Sequence, residues 1–141
     1  MSELKSLVYV SSATRELSYN EVDHLLKRAR ERNKQRRITG VLMYIAGTFM
    51  QHLEGEAEQL ALTYDIIKAD PLHTGLIQLL YHSINSRDFE EWTMAYCTKE
   101  ETLLVGSHND KIILNDMLGL YSYEETSARI LLQNFWKKNA L

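Results

Sequence analysis

Three polar residues, Tyr9, Asn33 and Gln51, fall where side chains should point into a core, and together they could bind a planar ligand of mixed hydrogen-bonding character. In "ITGVLMYIAGTFMQHLEG" (Ile38 to Gly55), two apolar strands flank a tight Ala46-Gly47 turn, and a glutamine occupies the middle of the second strand. Successive strand side chains alternate, so Phe49, Gln51 and Leu53 share one face while Met50, His52 and Glu54 share the other. The amide therefore lies on the more apolar side. Burying it without partners costs about 1 to 3 kcal/mol, so matching donors and acceptors must stand opposite it. A bound ligand can supply them, and so can the chain's own backbone. A buried tyrosine commonly bonds a carbonyl, and an asparagine ending a helix commonly caps it. The residue pattern leaves both sources open.

The elements that position these groups follow from periodicity. Leu4 to Ser11 is rich enough in β-branched and aromatic residues for a strand, with Leu7, Tyr9 and Ser11 on one face. Ser18 and Glu21 form a capping box, after which Val22, Leu25, Leu26 and Ala29 recur at helical spacing. Eleven residues beyond Val22, Asn33 lies about 20° from the same stripe. Glu56 to Ala69 predicts a second helix, with Leu60, Leu62, Tyr64, Ile66 and Ile67 inward and Pro71 ending it. Gly75 to Ile84 predicts a fourth strand. Trp92 to Cys97 predicts a fifth, with Trp92, Met94 and Tyr96 on one face.

The order βαββαββ suits an α+β ferredoxin-like sandwich, one mixed sheet of four or five strands with both helices on one face. Downstream, Asn109 to Tyr121 and Ser122 to Lys138 predict two further helices, the latter opened by a capping box of Ser122 and Glu125. The expected division is residues 1–98 as the binding domain and 99–141 as a two-helix C-terminal extension.

At 141 residues, 45% hydrophobic and 25% charged, the chain has the composition of one soluble domain with an appendage. Cys97 is the single cysteine and can form no internal disulfide. With no signal-like start and no apolar run of about 18 residues, a cytoplasmic protein without a membrane span is expected. His24, His52, His73, His82, His108 and Cys97 show no ligand-like spacing, so no metal site is expected. The run "KRARERNKQRR" holds seven cations between Lys27 and Arg37. It reads as a solvated helix face, and with an overall net charge of -3 it predicts no nucleic-acid partner.

The patterns "LVYVSSAT", "RNKQRRITGVLMYIAGTFMQHLEG", "DPLH" and "LYHSINSRDFEEWTM", in that order, resemble the BLUF domains, blue-light sensors that use FAD. The resemblance covers roughly residues 4 to 97 and rests on ITG followed by two aliphatic residues, F-x-Q-x-LEG and R-x-F-x-x-W-x-M. By that resemblance Tyr9 matches the photochemical tyrosine, Gln51 the switching glutamine and Asn33 the asparagine that holds the pyrimidine edge of the flavin. Trp92 and Met94 match a tryptophan and a methionine that exchange places beside the glutamine in some members, so which one faces the flavin stays open. Asp70 and His73 match a polar pair beside the ring and ribityl chain. Leu25, Phe49, Leu53 and Ile67 match apolar positions lining the ring. Ala29 stands where many relatives carry serine, and Leu72 where many carry the arginine of D-x-R-H; the basic run could supply that missing guanidinium near the diphosphate.

The implied function is sensing without enzymatic turnover. In such domains the tyrosine passes an electron and a proton toward the excited flavin, and the glutamine relays the proton because an amide presents a donor and an acceptor side by side. Turning or tautomerising the amide puts a new hydrogen bond on a flavin carbonyl and shifts absorption to the red. The change would bias packing around Met94 and Trp92 and reach the C-terminal extension. With no room for an output domain, a downstream protein partner or a homo-oligomer contact is expected to read it. Ile112, Ile113, Met117, Leu118, Ile130, Leu131, Phe135 and Trp136 are too many apolar residues for isolated helices, so they should pack on the sheet's open face, on another subunit, or on both. Two alternatives compete. A flavin oxidoreductase lacks support, there being no G-x-G-x-x-G fingerprint. A flavin-independent interaction module follows if Leu72 abolishes FAD retention.

Overall fold

In the computed structural model, which describes residues 3–90, 93–98, 103–105, 111–113 and 126–140, the chain runs β1 (Leu4–Ala13), α1 (Tyr19–Arg36), β2 (Thr39–Ile45), β3 (Thr48–Glu56), α2 (Ala57–Ala69), β4 (His73–Ser83), β5 (Ala95–Thr98), β6 (Leu103–Val105), β7 (Lys111–Ile113) and α3 (Ser127–Ala140). The strands form one mixed sheet in the order β4-β1-β3-β2-β5-β6-β7. β1 to β4 pair antiparallel, and β5 joins β2 in parallel. This is the expected ferredoxin-like α+β arrangement, with α1 and α2 packed on one face.

Local chemistry accounts for the elements nearest the site. Ser18 and Glu21 close the capping box, each side chain bonding the other's backbone N–H. Ala46 and Gly47 both take positive φ, 52° and 78°, as a two-residue primed hairpin turn demands. That turn sets the register in which Leu42 faces Gln51 and Gly40 faces Leu53. Gly40 has no room for a side chain, since a Cβ there would lie 1.8 Å from the His52 carbonyl oxygen.

Two cores result. One lies between the sheet and α1/α2 and contains Leu7, Tyr9, Val22, Leu26, Phe49, Leu53, Leu60, Ile67 and Met94. The other lies on the opposite face, where Ala128, Leu132 and Phe135 of α3 cover Val8, Val41, Met43, Ile45 and Met50. Most of the apolar face of α3 is therefore spent on its own sheet, while Ile130, also expected to be packed, stays 40% exposed. This settles the open-face alternative for Phe135, and Leu131 and Trp136 pack at its margin.

Several expectations need correction. Lys111–Ile113 is a strand where a helix from Asn109 to Tyr121 was expected, and Leu103–Val105 adds another, so the described part of the C-terminal extension continues the sheet before α3. β6 pairs antiparallel with β5 and β7 with β6, so each short segment has its backbone bonded in the sheet. The capping box of Ser122 and Glu125, with Met117 and Leu118, lies outside the described residues. On α2, Leu62 and Ile66 face solvent at 52% and 42% exposure, because Leu60, Thr63 and Ile67 define the buried line. No helix among the described residues is long and apolar enough to cross a membrane.

Candidate functional site

Tyr9 and Gln51 are cross-strand partners in the β1–β3 ladder, which puts both side chains on the α1/α2 face at the same level. The Tyr9 hydroxyl donates to Gln51 Oε1, and both residues are buried. Burial pushes the Tyr9 phenol well above its ordinary value, with Tyr64 acting in the same direction, so it is held as a neutral donor. Gln51 Nε2 lies 3.6 Å from Met94 Sδ, a weak acceptor. Met94 is fully buried on this face, while Trp92 lies outside the described residues.

Asn33 is not the helix cap. Arg37 takes the left-handed cap conformation, and its N–H reaches the Asn33 and Lys34 carbonyls. The Asn33 side chain is free for other work: Nδ2 donates to the Thr93 carbonyl at 2.7 Å, and Arg30 Nε donates to the Met94 carbonyl at 3.0 Å. Helix α1 thus grips the backbone that leads into β5.

Two polar atoms of α1, on consecutive residues, are buried and have no hydrogen-bond partner among the described residues: the acceptor Asn33 Oδ1 and the donor Arg32 Nε. Each is costly to leave unmatched. Burial, with Arg36 adding to it, lowers the Arg32 guanidinium, while Tyr9 and Asp70 act in the opposite sense. A flavin's pyrimidine edge alternates carbonyl and N–H, so a buried donor and a buried acceptor are the kinds of group that would match it.

The other sequence-predicted residues gather around the same core. Phe49 and Leu53 are fully buried, Ala29 and Ile67 nearly so, and Leu25 packs half-buried at the margin. His73 lies on the Phe49 ring, centroids 4.8 Å apart, and its Nδ1 is 2.9 Å from Ser11 Oγ. Burial lowers the His73 pKa, opposed by Asp70. Asp70 Oδ1 accepts the Leu72 N–H at 2.9 Å and fixes the turn after α2. Arg32 was absent from the sequence-based set because it sits in a run of cations, where its burial has no signature of its own.

The reverse face of β3 is equally dry. His52 and Glu54 are fully buried. Glu54 accepts the Asp88 and Phe89 N–H groups at 2.7 and 2.9 Å, and Asp88 accepts the Thr126 hydroxyl at 2.8 Å. Arg129 Nε lies 3.7 Å from the Asp88 carboxylate. His52, Glu54 and Asp88 bring three potential ligand atoms within 4.8 Å of one another, a grouping that the sequence did not foretell. The carboxylate oxygens of Glu54 and Asp88 are engaged by backbone N–H, hydroxyl and guanidinium groups, which makes the two a clasp between strand, loop and α3.

The family described as sensors of blue-light using FAD matches residues 4–95. The chain is 37% identical over 100 residues to photoactivated adenylate cyclase subunit beta of Euglena longa, covering 70% of this chain and 12% of the relative. It is 31% identical over 86 residues to the blue light- and temperature-regulated antirepressor BluF of Escherichia coli (strain K12), covering 61% of this chain and 21% of that protein. The chain therefore spans only a small part of the length of these curated relatives. The solved dark-state structure of BlrB, a BLUF protein, aligns with a TM-score of 0.69 at 30% identity, over 72% of this chain and 76% of that one.

Proposed function

Because the chain belongs to the BLUF family, the sensors of blue light using FAD, we propose that it is a cytoplasmic, non-enzymatic photoreceptor whose switch is the Tyr9–Gln51 pair. FAD, when bound, supplies the absorption of blue light and the acceptor of an electron. Asn33 and Arg32 would hold its ring edge, Asp70 and His73 the side toward the ribityl chain, and Leu25, Ala29, Phe49, Leu53 and Ile67 its faces. Tyr9 gives up an electron and its phenolic proton, which Gln51 Oε1 already receives as a hydrogen bond. Gln51 has no useful pKa, so its part is to exchange donor and acceptor positions by turning or tautomerising. In a dry pocket each such exchange counts for more than in water. Met94, in contact with Gln51 Nε2, passes the change along the segment gripped by Asn33 and Arg30, and a downstream protein partner reads it.

The observations that carry this reading are the buried Tyr9–Gln51 hydrogen bond and the buried Asn33 Oδ1 without a partner among the described residues. The test is spectroscopic. Purified protein should be yellow and shift to the red under blue light, recovering in darkness. Tyr9→Phe and Gln51→Leu should stay yellow and lose the usual red shift. A normal shift in Tyr9→Phe removes Tyr9 from the mechanism, and colourless protein after FAD reconstitution favours the interaction module.

A further inference from the structure

We propose that Arg30 is a positioning residue of the switch: it anchors the backbone of Met94 so that the sulfur stays within reach of Gln51, and so sets how long the light-driven state lasts. This assignment rests on the photoreceptor reading and adds to it the residue that governs return to darkness. Arg30 and Asn33 are three apart on α1, so their side chains leave the same face of the helix. Asn33 Nδ2 donates to the Thr93 carbonyl at 2.7 Å, and Arg30 Nε donates to the Met94 carbonyl at 3.0 Å. Both carbonyls stand ahead of β5, whose register on β2 begins at Val41↔Ala95. Helix side chains therefore join the sheet in fixing the segment by which β5 enters it.

The two donors have different second duties. Asn33 also carries the buried Oδ1 offered to a flavin edge, so its amide answers to the cofactor as well as to Thr93. Arg30 is half-buried, and burial works against its charge, with Asp23 opposing. A guanidinium left in water avoids that cost, as the exposed Arg28 of the same helix does. What offsets it is a hydrogen bond from a charged donor, stronger than one between neutral groups. Met94 needs such an anchor. Its buried sulfur lies 3.6 Å from Gln51 Nε2, a weak contact at the end of an unbranched side chain with three rotatable bonds. When Gln51 exchanges donor and acceptor, the sulfur loses its donor while the backbone carbonyl keeps Arg30. The side chain then returns from a fixed base and has little to search, which makes the dark arrangement quick to re-form.

The test is the rate of dark recovery after blue light. Arg30→Met keeps the stem and removes the charged donor, so the lit form should persist at least about tenfold longer, the lower end of what a hydrogen bond to a charged group contributes. Arg28→Met removes the same charge from an exposed position and should recover at the wild-type rate. Arg30→Lys retains a charged donor and should move recovery back toward wild type. In Met94→Ala there is no sulfur to place, so adding Arg30→Met should change recovery little, a non-additivity that a merely structural arginine does not produce. Independently of the photocycle, amide exchange over residues 93–98 in darkness should quicken in Arg30→Met and slow again in Arg30→Lys. With the red shift present, recovery in Arg30→Met equal to wild type or to Arg28→Met, no return in Arg30→Lys, or the same slowing on the Met94→Ala background each overturns the assignment alone. A wild type without a red shift overturns the photoreceptor reading, and the assignment with it.

Discussion

The two faces of β3 carry different chemistry on one strand. Toward α1 and α2, Gln51 is held by a single strong partner, Tyr9, and a soft one, Met94. Toward α3, Glu54 is held by two backbone N–H groups, and Asp88 ties it onward to Thr126 and Arg129. The first arrangement has few, exchangeable bonds and can change state. The second is multiply satisfied and resists change, as a fixed frame must. In the proposed switch, a strand pinned on one side and loosely bonded on the other would let a rearranged amide act against a rigid support.

The sharpest way to break that contrast is to disable each face in turn. Glu54→Leu strands the Asp88 and Phe89 N–H groups, at about 1 to 3 kcal/mol for each buried donor, so a loss of roughly 3 kcal/mol in urea unfolding is expected. Gln51→Leu removes the acceptor of the Tyr9 hydroxyl and a weak donor to Met94 Sδ, stranding one buried donor rather than two, and should cost about 1 kcal/mol. Equal losses, or a greater one for Gln51→Leu, would mean that the division between switch and frame is wrong.

An intermediate effect comes from pH. Burial holds the His52 imidazole down to about 3 against an ordinary 6.5, with Arg129 and His82 adding to the shift. Between those values the unfolded chain binds a proton that the folded chain lacks, so this contribution to stability falls as pH drops from 6.5 toward 3, by up to about 1.4 kcal/mol per pH unit. Glu54 has the opposite sign. Burial raises it from 4.5 to about 7, against the two N–H donors, so its folded form holds the extra proton and its contribution falls as pH rises through that window. The slopes offset between 4.5 and 6.5, and below 4.5 His52 acts alone. His52→Leu should therefore gain stability relative to wild type steadily as pH falls from 6.5 to 3. A pH-independent difference in denaturant midpoint would show that His52 is not held neutral.

The Tyr9–Gln51 face was legible in the sequence and the His52–Glu54 face was not, for a physical reason. Tyr9, Gln51 and the Ala46-Gly47 turn belong to strands whose alternation and hairpin register fix their neighbours locally, and the Asn33 stripe follows from helical period alone. His52 and Glu54 depend on partners far along the chain, Asp88 lying 34 positions from Glu54 and Arg129 41 from Asp88. Alternation therefore distinguished the faces without revealing that α3 buries the more polar one. Leu62 and Ile66 misled because apolar residues on α2 outnumber the positions its buried face can hold. The strand at Lys111–Ile113 was missed because its apolar run is too short to separate strand from helix by period.

The smallest effect tests whether α3 belongs to the frame at all. Thr126 both donates to Asp88 Oδ2 and accepts the Arg129 N–H at 3.2 Å, so one hydroxyl caps the helix and fastens it to the loop held by Glu54. Thr126→Val keeps the shape and removes both bonds, at about 1 kcal/mol, the ordinary worth of an N-cap. Because Ala128, Leu132 and Phe135 still cover Met50 and its neighbours, the helix should fray at its start rather than leave the sheet. Faster amide exchange confined to the first turn of α3, with the Tyr9–Gln51 spectral response intact, is the expected result. Faster exchange extending through β3 would show instead that the two faces of the strand are a single mechanical unit.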